Sequence, residues 1–160
     1  MTAFDGLPDG HRAPHQTGEH AVLATLLEDA HVTVRFVAPD ALLLARTARS
    51  LPSPELEMRD VYERLVGVLP QARAQVDFIV DTRKAPGRND AVFEKLQSEF
   101  HDRLFGGFRQ VIALVKTATG HLQLDRYEHE RPKGVIVVGD VDEALEVCRR
   151  LQGRPRASSL

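Results

Sequence analysis

The residues of this chain whose types and spacing could do chemistry gather between Val76 and Phe105. An apolar run of Val76, Phe78, Ile79 and Val80 leads into Asp81, and Thr82, Arg83, Lys84, Ala85, Pro86, Gly87, Arg88, Asn89 and Asp90 follow before an amphipathic stretch begins. That pattern predicts a strand, a loop and a helix in turn. In an open α/β sheet the carboxyl end of a strand and the N-terminus of the next helix share one edge, where free backbone N–H groups and the helix dipole favour ligands and partners. Asp81, Thr82, Arg83, Lys84, Arg88, Asn89 and Asp90 are therefore the candidate partner- or ligand-binding residues, and Lys116, which ends the next predicted strand at the same edge, joins them. Arg83, Lys84 and Arg88 beside a helix start have the chemistry to hold a phosphate or carboxylate. Ala85-Pro86-Gly87, however, is neither a P-loop nor a dinucleotide fingerprint.

Catalytic and metal constellations are missing from the sequence. It carries no GxSxG, HExxH, CxxC or paired-carboxylate motif to supply a nucleophile, a metal, or an acid and base. Asp81 with His101 or His129 is the remaining combination, and no spacing assigns them roles. The chain is read as a non-enzyme without a cofactor. His11, His15 and His20 recur at spacings that could converge on a metal, but no Cys or carboxylate motif accompanies them and they sit beside Pro14 and Gly18, so they are read as a polar tail. The single cysteine, Cys148, cannot form an internal disulfide. It falls on an apolar helix face with nothing nearby in sequence to lower its pKa, which makes it a small core residue.

Composition narrows the function classes further. The 160 residues, 42% of them apolar, suit one folded domain. Basic and acidic residues, 21 and 23 of them, are mixed along the chain and leave a net charge of -2, so no basic field exists to hold a nucleic-acid backbone. There is no apolar run of about 18 residues, and the N-terminus lacks the basic start and apolar middle of a secretory signal. A cytoplasmic protein without a membrane span is expected. Residues 1–19, with Gly6, Pro8, Gly10, Pro14 and Gly18, are expected to form a disordered arm, and 153–160 a flexible tail. Residues 20–30 fit either a short helix or a strand, the spacing of Val22, Leu23, Leu26 and Leu27 suiting the helix better. The folded domain is expected over 31–152.

The elements that must position the loop follow from periodicity. Val32, Val34 and Phe36 alternate with Thr33 and Arg35, and beyond the Pro39-Asp40 turn signal comes Leu42-Leu43-Leu44, which predicts a β-hairpin. Ser53 and Pro54 offer an N-cap and a first helical residue. The helix they open has Met58, Val61, Tyr62, Leu65, Val66 and Leu69 on its inner face and Glu55, Glu57, Asp60 and Glu63 as a solvated outer face, and it stops at Pro70. A second helix, about 90–105, carries Val92, Phe93, Leu96, Phe100, Leu104 and Phe105 on one stripe, with Asp90 and Asn89 competing for its N-cap. That stripe could line an apolar ligand cleft, but at helical spacing it reads as core. Residues 110–116 are nearly continuous in apolar residues (Val111, Ile112, Ala113, Leu114, Val115), as in a strand inside a sheet. A short helix is chosen over 121–130, and a buried strand over 135–138. Asp140 and Glu143 make a capping box for a last helix with Val141, Ala144, Leu145, Cys148 and Leu151 on its buried face.

The resulting class is α/β: a mixed β-sheet with an N-terminal β-hairpin and packed helices. In this order of elements the chain resembles the STAS-like superfamily, which includes bacterial anti-sigma-factor antagonists and STAS/SEC14-like domains. The resemblance is carried by the hairpin Val32 to Ala45, the Asp-ending strand Asp77-Phe78-Ile79-Val80-Asp81, the strand Phe108 to Val115, and Val138-Gly139-Asp140-Val141-Asp142-Glu143-Ala144-Leu145. It covers residues 31–152. What it implies is a STAS-like regulatory, non-enzymatic module that docks a protein partner through the loop 81–90 and the following helix, with binding of a small anion or a lipid at the same loop as the alternative. Some members carry a phosphorylatable Ser or Thr where that helix begins. Here the helix opens on Arg88-Asn89-Asp90, and Thr82 is the loop's one hydroxyl. Thr82 is expected to satisfy backbone groups and Asp90 to act as an N-cap.

Overall fold

The computed structural model describes residues 23–116 and 135–153. In a strand successive side chains point to opposite faces, and in this chain both faces are apolar where they need to be. Val32, Val34, Leu42, Leu44, Phe78 and Val80 are buried on one side of the sheet, and Val37, Leu43, Ile79, Ile112, Leu114 and Val138 on the other. The strands are β1 (Ala24–Glu28), β2 (Val32–Ala38), β3 (Ala41–Arg46), β4 (Asp77–Asp81), β5 (Gln110–Leu114) and β6 (Ile136–Val138). They lie side by side in sequence order. β1, β2 and β3 pair antiparallel, and β3, β4, β5 and β6 pair parallel. The mixed α/β sheet with its N-terminal hairpin, β2 and β3, is thus as the sequence implies.

Of residues 20–30, read from the sequence as either a short helix or a strand with the spacing favouring the helix, Ala24–Glu28 form a strand, β1, so the sheet begins before residue 31. The reason lies in its pairing with β2, where the register shifts between Thr25 and Leu27, so the alternation breaks and Leu26 and Leu27 are both half-buried. The arm 1–19, the helix expected over 121–130 and the tail from 154 onward lie outside the described residues.

Among the described residues three helices cover the sheet, α1 (Glu55–Val68), α2 (Ala91–Phe105) and α3 (Val141–Gln152), and a 3-10 turn at Arg73–Gln75 leads into β4. α1 and α2 lie on the first face and α3 on the second, as the two core clusters require. Met58, Tyr62 and Leu65 of α1 and Leu96, Phe100 and Leu104 of α2 are buried, and each such side chain taken from water contributes about 2 kcal/mol. The aromatic stripe of α2 is core: Phe100 is fully buried and stacks on Tyr62 with ring centroids 5.2 Å apart, while Phe105 lies 5.9 Å from Phe78. Between the two helices runs a ladder of ion pairs at one constant sequence offset: Lys95 to Glu55 at 3.0 Å, Arg59 to Glu99, and Arg103 to Glu63 at 2.8 Å. A constant offset is what two parallel helices in register produce, since each residue meets its counterpart one turn further along both.

The caps differ in how well the sequence announces them. Asp90 accepts a hydrogen bond from the Phe93 N–H at 3.0 Å, and Asp140 one from Glu143 at 2.8 Å, while the Glu143 carboxylate reaches back to the Gly139 N–H at 2.9 Å. Ser53 caps nothing. α1 begins one residue later than its Ser-Pro signal suggests, because Pro54 itself is the extended cap residue, with φ -63° and ψ 132°. At the opposite edge of the sheet Asp77 is fully buried and meets Arg109 through two hydrogen bonds of 2.8 Å. Arg109 also reaches Asp40 at 2.9 Å, and Gln152 at the end of α3 reaches Asp40 at 2.7 Å. The start of β4, the β2–β3 turn and the last turn of α3 are locked together there.

Candidate functional site

The carboxyl ends of β4 and β5 bring the predicted residues to one edge, and the structure divides them into two kinds. Asp81, Thr82, Arg83, Arg88 and Asp90 hold the loop in place. Lys84, Asn89 and Lys116 are exposed and make no side-chain hydrogen bond or ion pair among the described residues.

Asp81 is the last residue of β4 and pairs in register with Leu114. Its carboxylate accepts the Arg83 backbone N–H at 3.1 Å and both sides of the Arg83 guanidinium, Nε at 3.0 Å and Nη2 at 2.9 Å. Such a fork on a carboxylate fixes orientation as well as distance. The hydrogen bonds to Asp81 raise the Arg83 pKa above its ordinary value. The remaining arm of that guanidinium, Nη1, donates to the Gly139 carbonyl at 3.1 Å, tying the loop to the turn between β6 and α3. Thr82 donates twice to one acceptor, the Leu114 carbonyl, from its N–H at 3.1 Å and its hydroxyl at 3.2 Å. As expected from the sequence, its hydroxyl satisfies backbone.

Arg88 works in the same way further along. Its Nε pairs with the Asp90 carboxylate, and its Nη1 donates to the Leu51 carbonyl at 2.9 Å. The side chain is only 19% exposed and lies 5.8 Å from the centre of the Phe93 ring. Asp90, held by Arg88 and by the Phe93 N–H, has its pKa lowered below the usual aspartate value. The segment before α1 and the first turn of α2 therefore form one surface, pinned by a single guanidinium.

The consequence is chemical. Arg83 and Arg88 look in sequence like cations awaiting an anion, yet both are matched to a carboxylate within the loop. What the edge presents outward is Lys84, Pro86, Gly87 and Asn89, all exposed, on a loop whose flanks are fixed. Asp81 and His101 are not brought together: Asp81 ends β4, whereas His101 lies in the later turns of α2, which runs back toward the strand's other end. There His101 sits edge-on to Phe105 at 5.2 Å with Nδ1 3.6 Å from the Asp102 carboxylate. His129 and the N-terminal histidines lie outside the described residues. Among the described residues no three His, Cys, Asp or Glu side chains converge as metal ligands, and no helix is long and apolar enough to cross a membrane.

Some features carried little sequence signal. An open groove of about 480 Å3 is lined by His31, Pro52, Glu57, Asp60, Val61 and Arg64 and includes none of the predicted site residues. Leu56 in the first turn of α1 is 76% exposed, which its place beside Glu55 and Glu57 allows but does not require. Cys148, by contrast, is buried as the sequence implies, and its pKa is pushed up to about 12, first by burial and then by the Asp77 carboxylate beside it. No protein-family model, no curated protein and no solved structure matches the chain.

Proposed function

We propose that this domain is a non-catalytic regulatory module of the STAS-like type, working in the cytoplasm, that docks a protein partner through the loop 81–90 and the helix α2 that follows it. The observation that carries this reading is the division of labour in the loop. Its two arginines are spent on Asp81, Asp90 and the carbonyls of Gly139 and Leu51, so the exposed stretch from Lys84 to Asn89 is presented on a rigid frame. A pre-formed surface loses little conformational entropy on binding, which favours recognition of a folded partner. A small anion at this loop would have to be held by Lys84 and Lys116, both exposed.

Affinity capture from the lysate of the host, followed by mass spectrometry, tests the reading. Wild type should retain one dominant protein that Lys84→Glu loses while keeping its fold. Retention of the same proteins by both, or of none by wild type, would contradict it.

A further inference from the structure

Charge is divided unevenly between the two edges of the sheet. At the edge where β4 begins, Arg109 is matched to Asp40 and Asp77, and on the helices Arg59, Lys95 and Arg103 are matched to glutamates. At the carboxyl edge Asp81 and Asp90, the carboxylates of the loop, are already engaged by Arg83 and Arg88. Among the described residues, the exposed cations whose side chains have neither a carboxylate nor a hydrogen bond are Arg49, Lys84 and Lys116. All three belong to the carboxyl edge. Ala45 pairs with Asp81 and Asp81 with Leu114, so the chain leaves β3, β4 and β5 at one level. Arg49 lies three residues beyond β3, Lys84 three beyond β4 and Lys116 two beyond β5. Lys84 is carried on a turn closed by the Ala85 N–H on the Thr82 carbonyl at 3.1 Å, and Thr82 itself is bound to the Leu114 carbonyl, two residues before Lys116.

Positive charge is thus in surplus at the strand ends, although the chain as a whole carries a net charge of -2. Exposed charges of one sign, left unmatched side by side, do little for the fold and instead steer and select a partner of the opposite sign. Glu57 and Glu94, exposed in the first turns of α1 and α2, are unmatched carboxylates at the same edge. Their charge is partly offset by the positive ends of the helix dipoles, whereas nothing offsets the three cations. Spacing decides the size of the complement. Neighbouring strands lie about 5 Å apart, so the ends of β3, β4 and β5 span about 10 Å, more than one phosphate or carboxylate can bridge.

We propose that the protein partner docked at this edge presents an acidic segment, a run of Asp and Glu side chains, to Arg49, Lys84 and Lys116. The inference rests on the docking reading and gives the docked surface its sign. The acidic contact is confined to the strand ends and the loop, while Glu94 turns uncharged or basic parts of the partner toward α2.

Photo-crosslinking in host lysate from a benzophenone amino acid at Pro86, at low and at molar salt, tests the sign of the partner. Mass spectrometry of the adduct should map it to a stretch of the partner with a surplus of Asp and Glu. At low salt the yield should fall about threefold with each of Arg49→Gln, Lys84→Gln and Lys116→Gln, as for the loss of one exposed ion pair, while Lys84→Arg should keep it. Those differences should vanish in molar salt, which screens exposed charges. Circular dichroism verifies that each variant is folded. An adduct mapped to a neutral or basic stretch, or a yield indifferent to the substitutions and to salt, overturns the acidic partner and leaves the docking reading standing. No adduct from the wild-type loop removes the docking surface and this inference with it.

Discussion

The Arg88 guanidinium spans a sequence separation of 37 residues to donate to the Leu51 carbonyl at 2.9 Å, while its other side grips the Asp90 carboxylate that caps α2. One side chain thus fixes the entry to α1 and the entry to α2. In an α/β sheet these two entries lie at the same edge, and holding them together turns two loops into one surface.

Arg88→Ala should therefore cost stability as well as binding. The loss of a charged donor from a buried carbonyl and from a cap residue is expected to destabilise the fold by about 2 kcal/mol. Lys84→Glu, at an exposed position with no side-chain partner among the described residues, should leave stability unchanged. Urea titration of the two variants checks the difference, and equal stabilities would show that the Leu51 contact contributes nothing.

At the other edge, Arg109→Met should leave Asp77 buried and unpaired, at a cost of about 3 kcal/mol. Replacing both residues with apolar ones, Asp77→Leu with Arg109→Met, should cost less than the single change, because no uncompensated charge then remains. Denaturant midpoints of the single and double variants decide this. A double variant weaker than the single would mean that the pair is worth more than the burial it requires.

The thiol of Cys148 offers a pH test. Its pKa rises from 9.0 to about 12 in the folded protein, so the folded state holds its proton where the unfolded state has released it. Stability from this group is complete below the unfolded pKa and is lost as pH climbs from there through the folded value. The wild type should lose stability over that alkaline range more steeply than Cys148→Ala, as read by denaturation at a series of pH values. At neutral pH a thiol reagent should label Cys148 only after unfolding. Rapid labelling of the native protein would contradict both its burial and its shift.

On the helix ladder the sign is reversed. Glu55, Glu63 and Glu99 have pKa values below their ordinary range, held there mainly by hydrogen bonds from Lys95, Arg103 and Arg59. Their contribution is present above the unfolded carboxylate pKa and lost as pH falls through the lowered one. These pairs are exposed, so molar salt should weaken them at neutral pH as well. The slope of stability between neutral and acid pH should flatten in Glu99→Gln, and an unchanged slope would argue that the ladder is decorative.

Much of this could be read from residue types, and the reasons for the misses are physical. Asp90 and the Asp140–Glu143 box announce their helices because capping is local chemistry between residues three apart. The parallel core was legible in the continuous apolar runs of β4 and β5. β1 was not, because a register shift at an edge strand breaks the alternation that marks a strand. Ser53 misled for a related reason: its Pro neighbour adopts the extended cap conformation itself, displacing the helix start by one residue. Within the site, Arg83 and Arg88 were found as residues but not in their role, since sequence cannot distinguish a free arginine from one engaged with the Gly139 or Leu51 carbonyl.

The central claim is that the loop 81–90 and α2 form a protein-docking surface. Photo-crosslinking in host cells tests it most directly, with a benzophenone amino acid placed at Pro86 in the loop and, as a control, at exposed Glu146 on α3, across the sheet. One discrete adduct with another protein is expected from position 86 and not from position 146. No adduct from position 86, or the same adducts from both positions, would contradict it.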